Sequence, residues 1–253
     1  MSEVYGNPKY YEIAFSFRDM ASEVDVLEQA IEQYSHIPVV TILELGSGPA
    51  PHLAELARRN YRYIGLDWSS AMLEYAQSKA DAANVPARFA LADMTDFWLD
   101  EQVDFAYLML GSLAARNTDE LVSHFDCVSR TLKKGGLYFL DWCVVFAPSK
   151  EHTDSWEMVE GQVRVKTTIQ IKLIDPVEQI IEERFTLEVE DEGAKKVFRD
   201  TSLLRQIYPQ EFLLFVAARN DFEFVGWWNN WDLTQPLNST QKIGRPIAIL
   251  RRI

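Results

Sequence analysis

Three carboxylates and a pair of glycines are the residues from which chemistry can be read in this sequence. Glu44 precedes Gly46-Ser47-Gly48, and Asp67 and Asp93 each close a short apolar run further along. A glycine turn after a strand lets the backbone take positive φ and come close to a ligand. An acid at the end of the next strand, here Asp67, can accept both hydroxyls of an adenosine ribose. Asp93 repeats the arrangement one strand later. Carboxylates at the C-terminal ends of successive parallel strands converge on one edge of a sheet, where open α/β folds bind ligands.

The elements that must hold these residues follow from the apolar pattern. Val39 to Leu45 is rich in β-branched residues and reads as a buried parallel strand. Pro51 suits a first helical turn, with Leu53, Leu56 and Ala57 at helical spacing after it. Tyr61 to Leu66 is the next strand, and a serine after Asp67-Trp68 is placed to cap another helix. Ala87 to Ala92 and Val103 to Leu110 are the third and fourth strands. Thr118 is expected to cap a helix bearing Leu121, Phe125, Val128 and Leu132, which Gly135-Gly136 ends before a fifth strand, Leu137 to Val145. Upstream, Ser22 with Asp25 three residues on is expected to cap a helix carrying Val24, Leu27, Ile31 and Tyr34.

The alternation breaks after residue 148. Val163 to Leu173, Glu178 to Val189 and Lys196 to Ile207 alternate apolar and polar residues, and predict three antiparallel strands. A helix from Pro209, a strand from Phe222 to Trp228 and a last strand from Arg245 to Arg252 complete the chain. Four parts result: an N-terminal segment and helix (1–38), an α/β core (39–148), a β insertion (149–208) and a C-terminal completion of the core sheet (209–253).

Composition narrows the classes. The 253 residues carry a formal net charge of −13, with Lys and Arg dispersed, so nucleic acid is a poor partner. No apolar run approaches the ~20 residues that span a bilayer, and the N-terminus lacks a signal-like pattern, so a cytoplasmic protein is expected. Cys127 and Cys143 read as core thiols, and the four histidines form no zinc-like pair, so no metal is expected. Nothing in the pattern fixes an oligomeric state.

The same unit serves dinucleotide folds, and the details separate the two. Pro51 stands where a nicotinamide fingerprint wants its third glycine, and Glu44 suits a ligand carrying positive charge better than a pyrophosphate. Glu44-Leu45-Gly46-Ser47-Gly48-Pro49-Ala50 resembles motif I of the class I S-adenosylmethionine-dependent methyltransferases, with Ala50 replacing the last glycine. Gly65-Leu66-Asp67-Trp68-Ser69 with Met72-Leu73, and Leu132 to Trp142, resemble later stretches of that family. Its small-molecule branch with a β insertion after the fifth strand, including amino-sugar N,N-dimethyltransferases, is the nearest in pattern.

The resemblance implies a Rossmann-like α/β sheet with an antiparallel last strand, and S-adenosylmethionine as cofactor. It implies that Asp67 holds the ribose, Trp68 and Met72 line the adenine pocket, and Asp93 and Met94 meet the adenine edge. Glu44, Gly46, Ser47, Gly48 and Leu110 then surround the methionine end, with Tyr11 and Arg18 contributed by a tyrosine-rich N-terminal lid. The implied reaction is in-line methyl transfer to a small-molecule amine or hydroxyl. No residue stands out as a base; Tyr10, Tyr11, Asp141 and His152 are the candidates. A silent cofactor-binding domain acting through a partner, and a nicotinamide-dependent oxidoreductase, are the other readings.

Overall fold

The computed structural model describes residues 2–238 and 242–253. A seven-stranded sheet is its centre: β1 (Thr41–Leu45), β2 (Arg62–Asp67), β3 (Ala87–Leu91), β4 (Val103–Leu108), β5 (Leu132–Asp141), β10 (Phe222–Asn229) and β11 (Pro246–Arg252). Their spatial order is β10-β11-β5-β4-β1-β2-β3, and β11 alone runs against its neighbours, pairing antiparallel with both β5 and β10. The remaining pairs are parallel. β1 is central and buried at every position, as a continuous apolar run in a two-sided sheet must be.

Alternate residues of each strand feed two separate cores. On one face Leu43, Leu45, Ala106 and Leu108 meet Phe125 and Val128 of α5 (Thr118–Thr131) and Phe212 and Val216 of α6 (Pro209–Ala218). On the other, Ile42, Phe105, Phe139 and Ile249 meet Val24 and Leu27 of α2 (Met20–Tyr34), Leu56 of α3 (Leu53–Arg58) and Ala76 of α4 (Ser70–Ala83). Fully burying one such side chain contributes roughly 1.5–3 kcal/mol, so the two layers dominate the driving force.

Helix ends differ from the sequence expectation by a residue or more. α2 is capped by Asp19, whose side chain accepts from Ser22 N, so Ser22 lies inside the first turn. Asn117 rather than Thr118 caps α5, accepting from Glu120 N. Ser69 does cap α4, and Asn84 closes it in the left-handed conformation. Gly135-Gly136 does not end a helix. α5 stops at Thr131, and the glycines lie inside β5, where a Cβ on Gly136 would stand 2.4 Å from Asp104 O. The pair is thus an irregular stretch of strand that presses against β4.

The insertion holds four strands, not three: β6 (Glu151–Glu160), β7 (Val163–Asp175), β8 (Ile180–Asp191) and β9 (Ala194–Arg205), in that order. β6 escapes a period-two reading because it is an edge strand with polar, exposed residues, a composition that discourages pairing with other chains. Its place is fixed instead by a continuous register with β7, from Glu151 opposite Lys172 to Glu160 opposite Val163.

The N-terminal segment forms a short helix, α1 (Pro8–Ala14), and packs on this second sheet. Val4, Tyr10, Ile13 and Ala14 join Val163, Val165, Phe185, Leu187 and Val189 in a third core. Asp200 of β9 fastens the chain start, accepting from Ser2 Oγ and from the amides of Glu3 and Val4, both at 2.9 Å. Bonds to a charged acceptor contribute about 1.5–3 kcal/mol each. Replacing Asp200 by Asn should therefore raise amide exchange at Val4 and Tyr5 by at least about tenfold. Exchange along β1, β4 and β5 should not change; equal protection at Val4 in both proteins would show that apolar packing alone holds the segment.

Candidate functional site

The glycine turn after β1 is built on two left-handed residues, Gly46 (φ 63°) and Gly48 (φ 51°). Gly48 N donates to Asp67 Oδ2 at 2.8 Å, and Ser69 N donates to Asp67 Oδ1 at 2.8 Å. Asp67 therefore joins the turn to the end of β2 and the start of α4. Burial pushes its pKa up, against the two amides that hold the charge. Each oxygen keeps a lone pair for a further donor. Trp68 next to it is exposed, with its ring edge-on to Tyr5 at 5.9 Å, while Met72 is fully buried.

Asp93 lies beyond the end of β3, exposed, with Oδ1 accepting from Thr95 N and Thr95 Oγ1. Met94 is buried, and its methyl would stand 3.1 Å from a Cβ placed on Gly46. Beneath it, His124 donates from Nδ1 to Met94 O at 2.9 Å, and its other nitrogen bonds Tyr138 Oη. Burial pulls the His124 pKa down to about 4, so it is a neutral strut for this loop.

At the end of β4 the chain turns through Leu110 (φ 58°) and Gly111 (φ 69°). Left-handed φ is costly for leucine, and Asp141 maintains it: Oδ2 accepts from Leu110 N at 2.8 Å and its carbonyl from Gly111 N at 3.0 Å. Arg245 grips the same carboxylate from both sides, Nε to Oδ1 at 2.8 Å and Nη2 to Oδ2 at 2.6 Å. Burial raises the Asp141 pKa, with Arg245 opposing it.

A pocket opens between these turns and the N-terminal segment, lined among others by Tyr11, Phe15, Arg18, Glu44, Gly48 and Leu110. A wider depression lined by Ile37, Val40, Arg62 and Lys133 lies at the opposite end of β1 and β4, away from every strand-end carboxylate. Behind the pocket wall is a buried ionic group that sequence reading did not assemble. Glu44 accepts from Tyr63 Oη and faces His52 Nδ1 at 3.2 Å. His52 Nε2 lies 2.8 Å from Glu23, which Arg18 also engages through Nε at 3.1 Å. Burial works against an imidazolium, but the Glu44 charge and the bonds from Glu23 and Glu44 outweigh it, and the His52 pKa is raised. Burial likewise opposes the Glu23 charge, yet His52 and Arg18 bring its pKa down to about 2. Glu23 and His52 are scattered in sequence, and no local pattern marks them as a pair; His52 beside the glycine turn was the one available signal.

Of the base candidates, the structure brings only Tyr11 to the pocket. Tyr10 turns away, its hydroxyl bonded to Asp191 at 2.9 Å and its ring stacked on Phe198. Asp141 is committed to Arg245 and Leu110 N. His152 sits exposed on β6, paired with Asp154 at 2.8 Å. No helix among the described residues is long and apolar enough to cross a membrane.

Residues 42–136 match the family described as "Methyltransferase domain". A Geobacillus sp. (strain WCH70) protein with a provisional methyltransferase name is 28% identical over 116 residues, 46% of this chain; the match spans about half (47%) of that protein's length. Among solved structures, KedS8, a sugar N-methyltransferase from Streptoalloteichus sp ATCC 53650, superposes with a TM-score of 0.72 at 22% identity, over 100% of this chain and 94% of that one. CalS10, an amino pentose methyltransferase from Micromonospora echinaspora solved with S-adenosylmethionine bound, gives 0.73 at 20% identity, over 96% of each chain. DesVI from Streptomyces venezuelae gives 0.75 at 16% identity, over 96% and 97%. At these identities the likeness establishes a shared fold, inserted sheet included.

The raised His52 pKa has a signed consequence. A proton held more tightly in the folded state stabilises it fully below the ordinary value of about 6.5, and that contribution is lost as pH rises through the raised pKa. The stability deficit of His52→Gln relative to wild type should accordingly shrink from acidic to alkaline pH in chemical denaturation. A deficit independent of pH would show that His52 is buried neutral.

Proposed function

With a methyltransferase domain at residues 42–136 on the class I methyltransferase fold, we propose that this chain transfers a methyl group from S-adenosylmethionine to a small-molecule acceptor. The observation that carries the reading is Asp67: a buried strand-end carboxylate, tied to the amide of a left-handed glycine, with lone pairs left for a ribose diol. S-adenosylmethionine supplies, when bound, a methyl group on a sulfonium that is itself a good leaving group. The residues present suit such a ligand. Glu44 and the pocket's aromatic rings favour positive charge at the methionine end, and Arg18 offers a guanidinium for a carboxylate. Gly48 leaves the turn bare, with Tyr11 the nearest side chain at 3.9 Å from where its Cβ would be.

The chain's work is then positioning and exclusion of water. Leu110, within the left-handed turn that Asp141 fixes, and Ser112 just past it form the floor beside the reacting centre. Tyr11 and Phe15 close the opposite side from the N-terminal segment, which covers the site as a lid. Trp68 and Met72 flank the adenine subsite, and Asp93 with the Met94 backbone reads its edge. Because the donor carries its own leaving group, an amine acceptor needs no strong base once it is neutral. The acceptor is small, in keeping with the net charge of −13; likeness in fold to KedS8, a sugar N-methyltransferase, supports the same class. The four parts of the chain take the roles of lid, cofactor core, acceptor-side insertion and sheet completion.

Calorimetry with S-adenosylhomocysteine tests the reading. Asp67→Ala removes two charge-assisted bonds of ~1.5–3 kcal/mol each and should weaken binding at least about tenfold. Gly48→Val, with a β-branched side chain forced to positive φ, should abolish it. Unchanged affinity in both variants, or preference of the wild type for NAD, would overturn the assignment.

A further inference from the structure

The inserted sheet has two faces of opposite character. Outward, β7 and β8 carry solvent-facing ion pairs, Lys166 with Glu188 at 3.3 Å and Arg184 with Glu182 at 2.7 Å. Inward, the alternation of β8 presents Ile181, Glu183, Phe185, Leu187, Val189 and Asp191, and four of these six are buried apolar residues. A carboxylate on such a face needs a partner, because burial without one is costly.

Two of the three inward acids near the N-terminal segment have theirs. Asp191 accepts from Tyr10 Oη and lies 3.7 Å from Lys9 Nζ. Asp200, opposite Phe185 on β9, accepts from Ser2 and the amides of Glu3 and Val4. Both staple the segment to the sheet. Glu183, opposite Ser202 and one inward row further along, makes no hydrogen bond or ion pair among the described residues. It is half-buried, and burial pushes its pKa up.

Glu183 stands on the same face of β8 as Phe185, two residues along. Tyr11 lines the pocket with Arg18, Glu44 and Gly48, and the Tyr5 ring lies 5.7 Å from that of Tyr11 and 5.9 Å from that of Trp68. Neither tyrosine hydroxyl has a hydrogen-bond partner among the described residues. Phe185 stands beside both rings, at centroid distances of 6.2 and 6.0 Å. Tyr5, Tyr11 and Phe185 thus form one aromatic cluster that reaches from the pocket to the inward row of β8 on which Glu183 stands. Aromatic faces with a carboxylate behind them are a cation site.

Resting on the methyl-transfer reading above, we infer that Glu183 is the acceptor-recognition residue and that it selects an acceptor bearing a basic amine. The carboxylate supplies the charge partner, Tyr5 and Tyr11 supply hydroxyls for neighbouring polar groups, and Phe185 keeps water from the pair. A neutral acylated nitrogen offers no charge to this carboxylate and leaves it half-buried and unpaired, which is a further source of discrimination.

The experiment uses the full chain loaded with S-adenosylhomocysteine and two probe pairs: glucosamine against N-acetylglucosamine, and tyramine against N-acetyltyramine. Binding is measured by calorimetry for wild type, Glu183→Gln and Glu182→Gln, the last an outward-facing control. The wild type should bind the amine of at least one pair about tenfold or more tighter than its acetylated form. That preference should fall to within about twofold in Glu183→Gln and persist in Glu182→Gln, with S-adenosylhomocysteine affinity equal in all three. A preference that survives Glu183→Gln, or a wild type that prefers neither amine, overturns the inference. Failure of the wild type to bind S-adenosylhomocysteine is a separate result, and overturns the functional reading on which it rests.

Discussion

The charges buried around Glu23 are the constraint on which the functional edge of this molecule depends. Arg18, Glu23, Glu44 and His52 come from the chain before α2, from α2, from β1 and from the start of α3, and they meet where water cannot screen them. Arg245 lies 3.8 Å from Glu23 and grips Asp141, which extends the group to β5 and β11. Taking such ions out of water costs several kcal/mol apiece, so the assembly is a poor source of net stability. Its effect is on position. Removing Glu23 takes a buried partner from both Arg18 and His52, so the elements are held in one relative arrangement rather than a family of similar ones.

Two consequences follow for the pocket. Glu44, the acid of the glycine motif, is oriented from behind by Tyr63 and His52, so its carboxylate is fixed before any ligand arrives. The guanidinium of Arg18 is held by Glu23 at the pocket wall, although Arg18 lies in a short loop between α1 and α2. On the other side, Asp141 spends its oxygens on Arg245 and on Leu110 N, and so keeps leucine in a conformation it would otherwise avoid. Strain at a strand end is affordable only where neighbouring bonds over-determine it.

The inserted sheet answers a different need. Its outward face can be polar because water satisfies it, and its inward face is apolar where the N-terminal segment covers it. Asp191 and Asp200 show how a charge is tolerated there: each is consumed in fastening that segment. Glu183 lies just past the covered rows. The same sheet thus closes a core against the N-terminal segment.

What the sequence determined by itself is local in origin. The apolar run of β1, the glycines at positions 46 and 48, the acid closing β2 and the acid just beyond β3 are contiguous patterns, and backbone sterics with strand periodicity translate them into one sheet edge without knowledge of the rest. The antiparallel ending was legible for the same reason, through a resemblance carried by contiguous stretches. Capping was less so, because Asp19 and Ser22, or Asn117 and Thr118, are equally good caps on paper and only the packing of the helix sets its first turn. β6 was missed because an exposed edge strand has no apolar period to read. Tertiary structure alone decided that Tyr10 faces the sheet and Tyr11 the pocket, since adjacent residues on a helix point about 100° apart and the segment's docking chooses between them. It alone joined Glu23 to His52, 29 residues apart, and left Glu183 without a partner among the described residues; electrostatics acts through space, and no spacing along the chain encodes it.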